Sequence, residues 1–118
     1  MTRQPTVFRL ADYQPRPKTV YFSRGELNEL LTLYSRHVIH GIWRDYAIDH
    51  RDGFALFSVF RHSQESPAFR IMKCAAGGNR QGDFVVFSGR EKVNAGKTLA
   101  DALTIFRKRG WLTVARSS

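Results

Sequence analysis

One cysteine in 118 residues excludes an intramolecular disulfide and any zinc cage built on several thiolates. Cys74 stands beside Ala75 and close to Met72, a setting that suits a buried structural thiol better than a reactive one. No apolar run approaches the ~20 residues needed to span a membrane. The N-terminus is basic but lacks the apolar core of a secretory signal. These absences lead us to expect a cytoplasmic protein with no membrane association. Acid is the other shortage: ten Asp and Glu face nineteen Lys and Arg, for a net charge of +9. Most of the cations are arginines, whose planar, permanently charged fork suits phosphate and carboxylate partners. The plainer reading of the same charge is a solvated basic surface with no dedicated partner.

Catalytic signatures are missing too. No Ser-His-Asp or Cys-His pattern has a motif context. The stretch Gly77-Gly78-Asn79-Arg80-Gln81-Gly82 neither opens a helix nor carries the Lys-Ser/Thr ending of a phosphate loop, so it reads as a hairpin or wide loop. There is no RNP-type aromatic signature, helix-turn-helix or zinc finger. No cofactor is implied.

What is present describes one domain. Apolar residues make up 42% of the chain and include nine phenylalanines, enough for a globular core. Residues 1–18, with Pro5, Pro15 and Pro17, read as an irregular basic arm with Phe8 and Leu10 as possible docking points; residues 19–115 form the domain and 116–118 a tail. Thr19 to Phe22 reads as an edge strand. Ser23 and Glu26 then form a capping box, with Phe22 and Leu27 at the staple positions. Leu27, Leu30, Leu31, Tyr34 and Val38 hold helical spacing, so a helix is expected over Ser23–His40 with Gly41 closing it. Arg36, His37 and His40 sit near the negative end of its dipole, where the histidines read as solvent-exposed caps in preference to metal ligands.

The middle of the chain is β-patterned. Strands are expected at roughly 42–50, 54–62, 67–75 and 82–90, the first two joined by Asp52-Gly53. The short connections favour an antiparallel meander, and Phe54 to Phe60, apolar on both faces, belongs at its centre. Trp43, Tyr46, Phe57 and Phe60 are the expected structural heart. Thr98 caps a second helix running to Arg109, with Leu99, Ala102, Leu103 and Phe106 on one face; Gly110 closes it and Trp111 and Leu112 pack back. Val114 and Ala115 are candidates for a terminal strand. The fold class is therefore α+β, an antiparallel meander of four to five strands flanked by an N-terminal and a C-terminal helix.

Several segments together resemble a known family: Glu26-Leu27-Asn28, Leu33-Tyr34-Ser35-Arg36, Gly41-Ile42-Trp43-Arg44-Asp45-Tyr46-Ala47-Ile48-Asp49, Phe57-Ser58-Val59-Phe60-Arg61 and Phe69-Arg70-Ile71. They are similar to the bacterial family called domain of unknown function 2794, over about Val20 to Val114. The resemblance implies small proteins without an established activity, and no catalytic residues.

Two constellations remain. Asp45 and Asp49 lie four apart on a strand, hence on one face, and are weak candidates for holding Mg²⁺; pairing with cross-strand Arg61 or Arg70 accounts for them without a metal. Arginines interleaved with rings, in Trp43-Arg44, Phe60-Arg61, Phe69-Arg70 and Phe106-Arg107, are the better lead. The candidate contacts are Arg44, Arg61, Arg70, Arg90, Lys92, Lys97, Arg107, Lys108 and Arg109. The expected function is a small, basic, non-enzymatic binding module whose partner is a nucleic acid or an acidic protein surface. The alternatives are a regulatory protein–protein interaction module with an aromatic groove, and a metal-dependent phosphodiester enzyme. An edge strand, a proline-bearing arm and surplus aromatics would also suit a homodimer.

Overall fold

Ser23 starts the first helix as the sequence predicts. Its Oγ accepts from the Glu26 N–H at 3.1 Å, and the Glu26 carboxylate accepts from the Ser23 N–H at 2.7 Å, closing the capping box. The computed structural model describes residues 18–62, 66–75 and 83–107. Residues 1–17, the Gly77-Gly78 loop, Lys108, Arg109, the docking of Trp111 and Leu112, the terminal strand and the 116–118 tail all lie outside the described residues.

Helix α1 spans Arg24–Ile39 with His40 as its C-cap. Gly41 follows at φ 73°, a left-handed conformation that costs glycine nothing and turns the chain off the helix. The buried stripe is Leu30, Leu33 and His37, with Leu27, Leu31 and Tyr34 partly buried. Two expectations are corrected here. Val38 is exposed, and His37, expected as a solvent cap, is 5% exposed inside the core. Leu30, Leu33 and His37 follow an i, i+3, i+7 spacing, so the true stripe runs one position to the side of the expected one.

Five antiparallel strands form a meander in chain order: β1 Asp45–Arg51, β2 Phe54–Phe60, β3 Phe69–Cys74, β4 Phe84–Ser88 and β5 Glu91–Gly96. Asp52-Gly53 makes the first hairpin, with Arg51 opposite Phe54. The predicted β1 is trimmed at its start, because Trp43 lies between α1 and β1, buried to 1% exposure. Thr19–Phe22 is no strand: Thr19 makes one isolated bridge to Asp52, and its Oγ1 donates to the Asp52 carboxylate at 2.9 Å. The fifth strand is β5, which the sequence reading did not identify. Its residues are weak strand formers, and the Gly89-Arg90 turn folds them back on the strongly β-prone β4 with a register shift at Val86/Phe87.

After β5, Thr98 caps α2, which spans only Leu99–Leu103; the Thr98 Oγ accepts from the Asp101 N–H at 3.1 Å. The helix expected to run to Arg109 thus leaves α geometry after Leu103, and its last two residues lie outside the described residues. Thr104–Arg107 tightens into a 3₁₀ turn that buries the adjacent Ile105 and Phe106.

Register divides the sheet into two faces. Ile48, Phe57, Ile71 and Val86 align across β1 to β4, with Ala55, Val59, Phe69 and Phe84 flanking them. This face forms the core with Leu30 and Leu33 of α1, Leu99, Ala102 and Leu103 of α2, and Ile105 and Phe106 of the turn. Trp43 and Phe57 belong to this heart as expected; Phe60 is half-buried, and Tyr46 is 39% exposed, which corrects its assignment to the centre. Tyr46 lies on the edge strand, where its ring stacks on Phe57 at 5.4 Å and meets Tyr34 at 4.8 Å while one side stays open to water. Lys73 bolts the sheet to α1: its Nζ lies 2.8 Å from the Glu26 carboxylate and donates to the Tyr21 carbonyl at 2.8 Å. Burial pushes the Glu26 carboxyl up, but the Lys73 hydrogen bond, the Ser23 bonds and the Lys73 charge together hold it below its ordinary value.

Candidate binding surface

The other face of the sheet carries the more suggestive arrangement. One row of register partners crosses all five strands: Ala47 opposite Ser58, Ser58 opposite Arg70, Arg70 opposite Phe87, and Phe87 opposite Lys92. Strand alternation puts these side chains opposite the helix-covered face. Phe87 therefore stands between two cations, each one strand away, ~5 Å across the ladder. Phe54, Leu56, Phe60 and Met72 share this face and are half-buried. None of them belongs to the core cluster that contains the helices. Among the described residues, no helix packs here.

Arg70 is held in place, its Nη2 donating to the Gly89 carbonyl at 2.7 Å. That bond ties the start of β3 to the β4–β5 turn, in which Arg90 follows Gly89. The same end of the sheet receives Arg61, which follows β2, and Arg44, whose backbone N–H donates to the Phe60 carbonyl at 2.7 Å. A shallow depression of about 470 Å³ opens there, lined by Arg61, Ser66, Pro67, Ala68, Ser88 and Gly89. Five of the sequence candidates, Arg44, Arg61, Arg70, Arg90 and Lys92, are thus brought to one end of one sheet. Lys97 is not among them; it follows β5 at the opposite end, lining a depression with Glu26, Lys73 and Asp83. Arg107 lies on the helix side, and Lys108 and Arg109 lie outside the described residues.

The aspartates do not pair as expected. Asp45 accepts from the Tyr46 N–H at 2.8 Å, and Asp49 lies 3.9 Å from Arg51, two residues along its own strand, with both side chains at least half exposed. Neither pairs with Arg70, whose Nη2 serves the Gly89 carbonyl. No group of three His, Cys, Asp or Glu among the described residues is placed to hold a metal ion.

The sequence reading missed a second feature, a groove of about 580 Å³ between α1 and the α2–3₁₀ segment. Leu33, Ile42, Leu103 and Phe106 supply apolar walls, Arg36 and Arg107 are cationic, and His40 lies beside them. His37 also lines it, its ring stacked on Trp43 at 4.0 Å and edge-on to Phe106 at 6.1 Å. Its Nδ1 is 2.8 Å from the Leu33 carbonyl, which can only accept, so Nδ1 carries the proton and Nε2 the lone pair. Among the described residues, no hydrogen-bond partner reaches Nε2, or the Trp43 indole N–H. Burial first, then the charges of Arg36 and His40, push the His37 imidazole below its ordinary pKa, against a raising effect of the Leu33 bond. The signal for this groove was the i+7 position of His37 relative to Leu30.

Comparison with known families gives a match to the model described as Protein of unknown function (DUF2794), over residues 20–103. The chain belongs to the DUF2794 family. The match covers α1, all five strands and α2, and ends before the 3₁₀ turn, short of the expected limit near Val114. No curated protein and no solved structure matches the chain. The DUF2794 assignment therefore carries no activity with it, and the function has to be argued from the surface. No helix among the described residues is long and apolar enough to cross a membrane.

Proposed function

We propose that this DUF2794 protein is a non-enzymatic module that binds single-stranded nucleic acid across the helix-free face of its sheet. The observation that carries the reading is the row Arg70–Phe87–Lys92, a ring flanked by two cations on adjacent strands. A base stacks on an aromatic ring whatever its identity, and the flanking cations meet the phosphates on either side. Arg44, Arg61 and Arg90 extend the cationic track toward the end of the sheet. Phosphate contacts of this kind supply affinity without sequence information, so recognition is of strand and charge.

Fluorescence anisotropy with single- and double-stranded oligonucleotides across a salt series tests it. The expected result is preference for the single strand and a log–log salt slope of roughly −3 to −4 if all five cations displace counterions. Phe87→Leu, which keeps apolar volume, should weaken binding by ~1–3 kcal/mol with little change in slope. Arg70→Gln with Lys92→Gln should instead flatten the slope by roughly 1 to 2. No binding at ~50 mM salt removes the reading.

One observation favours a second reading. Phe54, Leu56, Phe60 and Met72 make the same face partly apolar, which suits a protein partner whose contact survives high salt. Retention of a partner at ~1 M salt, with no oligonucleotide binding, would decide for that alternative.

A further inference from the structure

We propose that the groove between α1 and the α2–3₁₀ segment is a binding site for a small aromatic carboxylate, separate from the sheet surface. Its shape and its charge point to the same chemistry. About 580 Å³ is within the ordinary range for small-molecule sites, ~300–1,000 Å³. The apolar walls come from three separate segments: Leu33 of α1, Ile42 of the following loop, and Leu103 with Phe106 beyond β5. An aromatic ring between them meets the edge and face contacts that Phe106 offers.

The rim is cationic and uncommitted. Among the described residues, the side chains of Arg36, His40 and Arg107 have no hydrogen-bond or ion-pair partner, while the acidic lining residue is Glu29. Arg36 sits in the last turn of α1, where the negative end of the helix dipole accounts for a cation. It does not account for Arg107, which comes from a different element and converges on the same opening. Two arginine forks around an apolar slot match a carboxylate attached to a ring. His37 forms part of the wall; it is 5% exposed, and its Nε2, which has no donor among the described residues, lies beneath the groove surface and out of a ligand's reach.

The test is NMR titration of the ¹⁵N-labelled full chain with 3-(4-hydroxyphenyl)propionate, with 3-phenylpropionate, with the corresponding neutral alcohol and with inorganic phosphate. The expected result is a saturable shift of Leu33, Arg36, His37, Ile42 and Phe106, with both acids binding more tightly than the alcohol. Loss of the carboxylate, or Arg36→Gln or Arg107→Gln on the exposed rim, should each weaken binding about tenfold, the loss of one charged hydrogen bond. Several outcomes overturn the proposal. One is no saturable shift up to ~10 mM, weaker than any functional affinity. Another is equal binding of phosphate or of the alcohol, which would leave a bare anion site or a bare apolar patch. A third is binding that appears only in Trp111→Ala, which would assign the groove to the chain's own C-terminal segment.

Discussion

At His37 the sequence turns a titratable ring into the core, and its chemistry follows from that position. The imidazole is stacked on Trp43 and desolvated, and its pKa lies below the ordinary 6.5. The unfolded chain therefore takes up the proton first as pH falls. Stability from this group is complete above the unfolded value and declines as pH drops through 6.5 toward the lower folded value. Thermal melts at pH 7.5, 6.5 and 5.5 should show a decline that His37→Phe removes, since a phenyl ring fills the same slot and cannot charge. A decline of the same size in His37→Phe would assign the effect to other groups. The neighbouring rings divide by exposure. Phe57 is fully buried, so Phe57→Ala should cost about 3–5 kcal/mol in urea unfolding. Tyr46, 39% exposed, should cost less than half as much on the same change. Equal costs would mean that Tyr46 is a core residue after all.

Among the elements, those written in local chemistry were legible and those imposed by a neighbour were not. The capping box specifies the start of α1 by itself, and Ser23→Ala should lower stability by about 0.5–2 kcal/mol, read as a shift of the urea midpoint. The hairpin at Asp52-Gly53 and the order β1 to β4 follow from alternation and short loops. β5 does not: Glu91–Gly96 contains one β-branched residue, Val93, and exists because β4 offers an edge and α2 closes over it. Asn94 fixes that closure, its Nδ2 donating to the Ala102 carbonyl at 2.8 Å. Gly96 allows it, because a Cβ there would lie 2.6 Å from the Asp101 Cβ and 2.8 Å from the Ala102 backbone nitrogen. Gly96→Ala should therefore cost about 1–3 kcal/mol, through displacement of α2. A neutral result would show that α2 moves freely on the sheet. The candidate surface follows the same division. Charge alone marks Arg70 and Lys92 as candidates, but their common row with Phe87 depends on the register across β5, which no local signal specified.

For the whole molecule, the excess of positive charge sets a tension between folding and binding. The net charge of +9 is spread over 118 residues, and five candidate cations are gathered at one end of the sheet. The exposed Asp49–Arg51 pair, at 3.9 Å, offsets little of this repulsion. Lys73–Glu26 is closer and partly buried, so salt weakens it less. Repulsion between cations on different strands acts over the ~20 Å that five strands span, and it is the part that salt removes. Raising NaCl from ~0.01 M to ~0.15 M shortens the screening length from ~30 Å to ~8 Å. The melting temperature should therefore rise, by a few degrees for a change of about 1 kcal/mol. Arg90→Gln with Lys92→Gln should raise the low-salt melting temperature and shrink the salt effect, because both charges leave the crowded end. A melting temperature that falls with salt would mean that attractive pairs outweigh the repulsion. On the proposed reading, phosphates that neutralise this cationic track relieve the repulsion within it. The stabilisation on adding an oligonucleotide should thus be largest at low salt, where both the repulsion and the counterion release are greatest.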